Sequence, residues 1–318
     1  MSAFSDKRIV VLGGCGFLGS HLCERLVGEG ATVIAVDNHS TGDVRNVESL
    51  RGETRFSVVE HDITQPTTVS GDVHFVFNLA SPASPKDYDR LWLETMRVGS
   101  LGTQHGLEIA EAKRAVFLQA STSEIYGDPL VHPQVESYAG NVDPTGSRAV
   151  YDEAKRYGEA LVQAFRRKRN VSTRIARIFN TYGPRMRLDD GRVVPQFISQ
   201  ALTGSDFTVY GDGTQTRSFC FVTDTVDGLV KLALSDEPNP VNLGNPREQS
   251  MLEFAQAVRT AAGGGGKIVF APLPPGDPKQ RKPDITRAKM LLGWEPRVLL
   301  EDGLLKTIEH FKEKAPSR

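Results

Sequence analysis

The chain has 318 residues, about two domains at roughly 150 residues each. With 39% hydrophobic residues spread along its whole length, it is excluded from the disordered class. Its 38 basic and 39 acidic residues leave a net charge of −1, which is no electrostatic footprint for nucleic acid.

Arg8–Leu12 is an unbroken apolar run, the pattern of a parallel strand covered on both faces. It runs into Gly13–Gly19, after which Ser20–Glu29 reads as a helix closed by Gly30. Thr32–Val36 is a second strand and ends at Asp37. Phe56–Val59, Val73–Leu79 and Ala115–Ala120 are further apolar strands, and helical patterns cover Leu91–Ala112 and Tyr151–Lys168. This alternation predicts an α/β fold with a Rossmann-type, doubly wound parallel sheet. Beyond about residue 177 the rhythm changes to a Gly-, Pro- and Arg-rich stretch over Asn180–Val193. Pro195–Thr203 then reads as helix, and Val209–Phe221 as short strands around the turn at Gly211–Gly213. A glycine run, Gly263–Gly266, and a proline cluster, Pro272–Pro278, separate the last helical patterns, Leu252–Ala262 and Asp284–Leu292. The expected division is a dinucleotide-binding domain over 1–178, rejoined by a later strand near 219–227, and a smaller C-terminal substrate-binding domain over 179–318.

Gly13, Gly16 and Gly19 follow a strand and open a helix. There the backbone must turn tightly, approach a pyrophosphate and let helix pack on strand. Asp37, 18 residues past Gly19, stands where a carboxylate accepts from adenosine ribose hydroxyls and repels a 2′-phosphate, so NAD is expected over NADP. Asp62, after the third strand, is open to two readings, a contact to the adenine or a polar loop residue. Tyr151 and Lys155 are four apart and share a helical face. Ser121–Glu124 follow a strand on the sheet edge where ligands bind. A nearby ammonium favours a tyrosinate, and Thr122 can hydrogen-bond the same substrate hydroxyl. Cys15, Cys23 and Cys220 form no disulfide framework and read as small buried hydrophobes of a reducing compartment. No apolar run approaches a membrane span and Met1–Arg8 is no signal peptide, so a cytoplasmic location is expected. The histidines, His61 and His132 among them, show no metal-ligand spacing.

These residues resemble the extended short-chain dehydrogenase/reductase family, in its sugar-nucleotide branch, and most closely its UDP-glucuronic acid decarboxylases. The matching segments are Leu79–Pro85, Ala120–Pro129, Tyr151–Arg156, Arg177–Met186, Asp190–Val194, Val209–Phe219, Val241–Pro246, Arg281–Ile285 and Leu292–Pro296. The resemblance implies that Tyr151, with Lys155 and Thr122, removes the sugar 4-hydroxyl proton while hydride passes to NAD. The resulting 4-keto acid loses carbon dioxide, and hydride return gives UDP-xylose with the cofactor regenerated. Ser123 and Glu124 match positions that hold the ring and act around carbon 5, and Arg281 matches an arginine that faces the sugar carboxylate. Further cofactor positions are Phe17, Leu18, Asn38, Thr41, Gly42, Ile63, Leu79 and Ala80. Further substrate positions are Pro82, Asn180, Arg185, Arg192, Arg217 and, beside the uracil, Tyr210. The family usually carries Asn where this chain has Gly99, which departs from a polar network around the catalytic lysine. A homodimer paired through the helices at 91–112 and 151–168 is also implied. The alternatives are a 4-epimerase or 4,6-dehydratase on the same scaffold, a decarboxylase of another nucleotide uronic acid such as a TDP-sugar, and a silent NAD-sensing protein.

Overall fold

Strands that are apolar at every position have no face to offer water, and this chain buries them between two layers of helices, while the edge strand Phe56–Glu60 stays mostly exposed. The computed structural model describes residues 2–273 and 280–314. Six strands of the first half run parallel: β1 (Arg8–Leu12), β2 (Thr32–Asp37), β3 (Phe56–Glu60), β4 (Phe75–Asn78), β5 (Val116–Thr122) and β6 (Thr173–Ile178). Between them lie α1 (Phe17–Gly28), α2 (Pro85–Arg90), α3 (Trp92–Arg97), α4 (Thr103–Lys113) and α5 (Ala149–Arg169).

The second half adds β7 (Thr181–Tyr182), α6 (Val193–Thr203), β8 (Phe207–Tyr210), β9 (Thr216–Ser218), β10 (Cys220–Phe221) and α7 (Val222–Leu234). It continues with β11 (Pro240–Leu243), β12 (Glu248–Ser250), α8 (Met251–Ala261), β13 (Ile268–Ala271), β14 (Gln280–Arg281), α9 (Thr286–Leu292) and α10 (Leu300–Lys314). The central sheet has the order β11-β6-β5-β4-β1-β2-β3. Its order reverses between β1 and β4, and the open edge beyond that point is where an α/β sheet takes a ligand. Leu22 and Leu26 of α1 and Val226 and Leu229 of α7 cover one face, and Leu107 of α4 and Val162 of α5 the other. Of the proline cluster Pro272–Pro278, residues 274–278 lie outside the described residues. No described helix is long and apolar enough to cross a membrane.

Two expectations are corrected. The strand that returns to the central sheet is β11, paired with β6, and not one near 219–227. There Cys220–Phe221 pairs only with Thr181–Tyr182, and Val222, Val226, Leu229 and Val230 recur at helical spacing, so burial makes α7 instead. The helix expected at 91–112 is divided, with a π turn at Val98–Gly102 between α3 and α4. Gly99 lies on that turn, where a Cβ would stand 2.7 Å from Ala154 Cβ and 2.8 Å from Ala154 O. The missing side chain lets this segment approach α5. Helix α10 is an addition, with Leu304, Ile308 and Phe311 buried.

Candidate active site

The glycine turn is forced by close approach. Gly13 has φ +79°, and a Cβ on it would lie 2.7 Å from Ala80 N, while one on Gly19 would lie 2.0 Å from Gly13 O. Helix α1 then starts with no side-chain cap and no acid in its first turn, leaving outward N–H groups and a positive dipole end for an anion. The Asp37 carboxylate is buried and accepts from Cys15 N and His39 N, each at 2.9 Å. This turn, its uncapped helix and a fixed acid at the end of β2 fit a dinucleotide. Asn38, Thr41 and Gly42 follow Asp37, a Cβ on Gly42 meeting its carboxylate at 2.8 Å. Burial would raise Asp62, but hydrogen bonds from Thr64 and Asn38 outweigh it and hold its carboxyl low. Ile63 is buried at the end of this surface.

Beyond the turn a cavity of about 470 Å3 opens between the two halves of the chain, with Phe17, Leu18 and Leu79 on its near wall. The end of β5 supplies Thr122, whose hydroxyl accepts from Glu124 N at 3.2 Å and hydrogen-bonds Tyr151. Tyr151 and Lys155 project from one face of α5, both buried. Lys155 Nζ donates to Ala120 O at 3.0 Å and lies 5.8 Å from the centre of the Tyr151 ring. Burial brings Lys155 down to about 8. Burial, then the negative Glu124, push the Tyr151 phenol above its ordinary range. The ligand-free site therefore keeps Tyr151 protonated. The ammonium alone does not make a phenolate here, because its own burial weakens it and Ala120 O engages it.

Glu124 sits in a short turn after β5, its two oxygens taken by Arg281 of β14 and Arg148 at the start of α5. Burial works against its charge, but the two guanidinium groups overcome this and hold the carboxyl below its ordinary range. Ser123 is buried beside it on the cavity wall.

Asn180, Arg192, Tyr210 and Arg217 line the far wall. Arg192 is held by Asp190, its Nε at 2.8 Å, and Arg217 Nη1 donates to Thr216 O at 2.8 Å. Arg185 does not line the cavity: it reaches back to Glu24 of α1 at 2.5 Å, on a left-handed backbone with φ +71°. Pro82 also lies off the lining, between Ser81 and Ala83, which are on it.

Sequence reasoning missed Arg148, Tyr88 and Asp152. Arg148 stands three residues before Tyr151 at the helix entry, a spacing that could have drawn attention to it. Tyr88 of α2 stacks on Tyr151, ring centres 5.3 Å apart and 16° between planes, a contact that no local pattern announces. Asp152 is buried, and burial with the Glu124 charge raises its carboxyl. Among the described residues, no group of three His, Cys, Asp or Glu side chains gathers as metal ligands.

Residues 9–244 match the NAD dependent epimerase/dehydratase family. The chain belongs to this family. It is therefore an NAD-dependent member of the extended short-chain dehydrogenase/reductase group, with the Rossmann sheet described above. It is 49% identical over 314 residues to UDP-glucuronic acid decarboxylase 1 of Xenopus tropicalis, covering 99% of this chain and 74% of the relative. It is 50% identical over 307 residues to UDP-glucuronic acid decarboxylase 4 of Arabidopsis thaliana, covering 96% and 69%. Among solved structures it is similar to the UDP-glucuronic acid 4-epimerase of Bacillus cereus in complex with UDP-glucuronic acid and NAD. That match has a TM-score of 0.85 and 27% identity over 96% of this chain and 99% of the other. The UDP-glucose 4-epimerase of Thermotoga maritima matches with a TM-score of 0.87 and 28% identity, over 96% and 99%.

Proposed function

We propose that the chain decarboxylates UDP-glucuronate to UDP-xylose through a 4-keto sugar, acting as a carboxy-lyase that recycles its own NAD. The observation that carries this reading is the Glu124 carboxylate held between Arg148 and Arg281 beside Tyr151. Two guanidinium forks converging in a buried cavity suit a substrate that brings a carboxylate of its own. The decarboxylase relatives, at about half identity over nearly the whole chain, support the same choice.

NAD, when bound, supplies a hydride acceptor for carbon 4 and the hydride that is later returned. Gly13, Gly16 and Gly19 with the start of α1 would hold its pyrophosphate, and Asp37 its adenosine ribose. Asn38, Thr41, Gly42, Asp62, Ile63, Leu79 and Ala80 complete that surface. The positive charge that NAD would bring, added to that of Lys155 one turn along the helix, would favour the Tyr151 phenolate, and in that form Tyr151 takes the 4-hydroxyl proton with Thr122 on the same oxygen. The new ketone stands β to the carboxylate, so the carbon–carbon bond breaks with its electrons passing into an enolate and carbon dioxide leaves. Arg281 orients the departing carboxylate, while Ser123 and Glu124 hold the ring around carbon 5, which takes a proton from water in place of the lost carboxylate, and Tyr151 gives its proton back to the 4-oxygen when the ketone is reduced. Asn180, Arg192, Tyr210 and Arg217 take the nucleotide end, and Arg185 joins them by exchanging Glu24 for a phosphate.

The reading includes a homodimer in the cytoplasm. Trp92, Leu93 and Met96 of α3, Leu101 after it and Tyr157 of α5 are exposed, and a second copy of the chain would cover them. Three buried free cysteines fit a reducing compartment. Incubation with UDP-glucuronate and no added oxidant should give UDP-xylose. Unchanged substrate, or UDP-galacturonate alone, would reject decarboxylation, and the second outcome would make the protein a 4-epimerase.

A further inference from the structure

We infer that the Asp87–Arg187 ion pair is a positioning device that holds Tyr88 against Tyr151 and ties this contact to the substrate wall of the cavity. Its kinetic test rests on the decarboxylase reading above; its geometry does not. Helix α2 has six residues, too few to hold itself. Its cap is local: Ser84 Oγ accepts from Asp87 N at 3.2 Å and donates to Asp87 Oδ2 at 2.7 Å. The Asp87 carboxylate is buried, and its close cationic partner comes from the other side of the cavity mouth. Arg187 Nη2 donates to Asp87 Oδ1 at 2.8 Å and to Oδ2 at 2.9 Å, whereas Arg90 on the same helix stays 3.9 Å away. A charge-assisted bond to a buried carboxylate is a strong tether, because losing it strands the charge away from water.

The loop that carries Arg187 is packed on α2 at a second point. Gly191, at φ +81°, leaves room where a Cβ would meet Lys86 Cγ at 3.0 Å. The same loop gives Met186, Gly191 and Arg192 to the cavity lining, and the α2 side gives Ser81, Ala83, Pro85 and Tyr88. A nucleotide sugar seated there touches both walls. Tyr88, the residue after Asp87, then transmits the setting of that seam to Tyr151 through the stacked rings.

The test compares the wild-type protein with Arg187→Gln, Asp87→Asn, the double variant and Arg187→Lys. Asn at position 87 keeps a partner for the Ser84 cap, so that variant separates loss of the tether from loss of the fold. Two readouts are taken: amide hydrogen exchange across 85–91 in the ligand-free protein, and kcat and KM for UDP-glucuronate decarboxylation. Each single charge removal should speed exchange in 85–91 and lower kcat about tenfold, with KM moving much less. The double variant should be no worse than the singles, and Arg187→Lys should recover most of the rate. Unchanged exchange at 85–91, or faster exchange with full kcat, would overturn the inference. Lack of turnover by wild type would instead refute the decarboxylase reading, and the exchange data alone would then decide whether the pair holds α2.

Discussion

In the glycine turn most contacts that matter fall within residues 13–42, with Gly19 against Gly13 and Asp37 against Cys15, and Ala80 joins from farther along the chain. The opposite wall instead gathers Arg148, Arg192, Arg217 and Arg281 from a helix start, a loop and two strands. A change in the turn strikes backbone, so it costs stability and cofactor together. A change in the far wall strikes side chains that meet only through the fold, so it costs rate and selectivity while the sheet survives.

The sharpest break in that comparison is Tyr151→Phe, which stands between the two regions. It should lower kcat by about 10^3-fold with the KM for UDP-glucuronate little changed, since only the proton-transferring oxygen is lost. A stopped assay of UDP-xylose checks this; a loss under tenfold would remove Tyr151 from its role. On the wall side, Arg281→Gln should cost about 10^2-fold in kcat. Glu124 then keeps Arg148 as its single guanidinium, so its carboxyl rises toward the ordinary range and the acid limb of the rate profile moves to higher pH. An unshifted profile would separate Glu124 from the rate.

On the turn side, Gly19→Val should destabilise the protein by about 3 kcal/mol or more, because its Cβ would occupy the Gly13 carbonyl position. Thermal unfolding and the NAD content of the purified protein read the two losses together. The smallest effect concerns Lys155, whose folded value of about 8 lies below the ordinary 10.5. Between those values the unfolded chain binds more protons, so ligand-free stability rises as pH climbs from about 8 to 10.5. Lys155→Met should abolish that rise and raise Tm at neutral pH by roughly 3 °C.

Legibility in the sequence followed the same division. Gly13–Gly19 was visible as a short spacing on one turn, Asp37 because it ends the next strand, and Tyr151 with Lys155 as a spacing on one helix face, each with a geometry fixed by backbone. The parallel sheet was visible because runs such as Arg8–Leu12 are apolar throughout. The close approach at Gly99 was hidden, since the neighbour that leaves no room for a side chain, Ala154, lies on another helix. Helix α7 was mistaken near its start for a strand, because Phe219–Phe221 are apolar without a period. Arg185 gave no sign that Glu24, 161 residues away, would claim it. The stack of Tyr88 on Tyr151 and the tie from Asp87 to Arg187 were equally silent, for both are made only when the two walls close on one cavity.

The most direct test of the account uses UDP-glucuronate labelled at its carboxyl carbon, with the purified protein and no added oxidant. Release of one labelled carbon dioxide for each UDP-xylose formed, lost in Tyr151→Phe, is the result expected. Label retained in a uronic acid product, or gas released equally by the Tyr151→Phe protein, would contradict it.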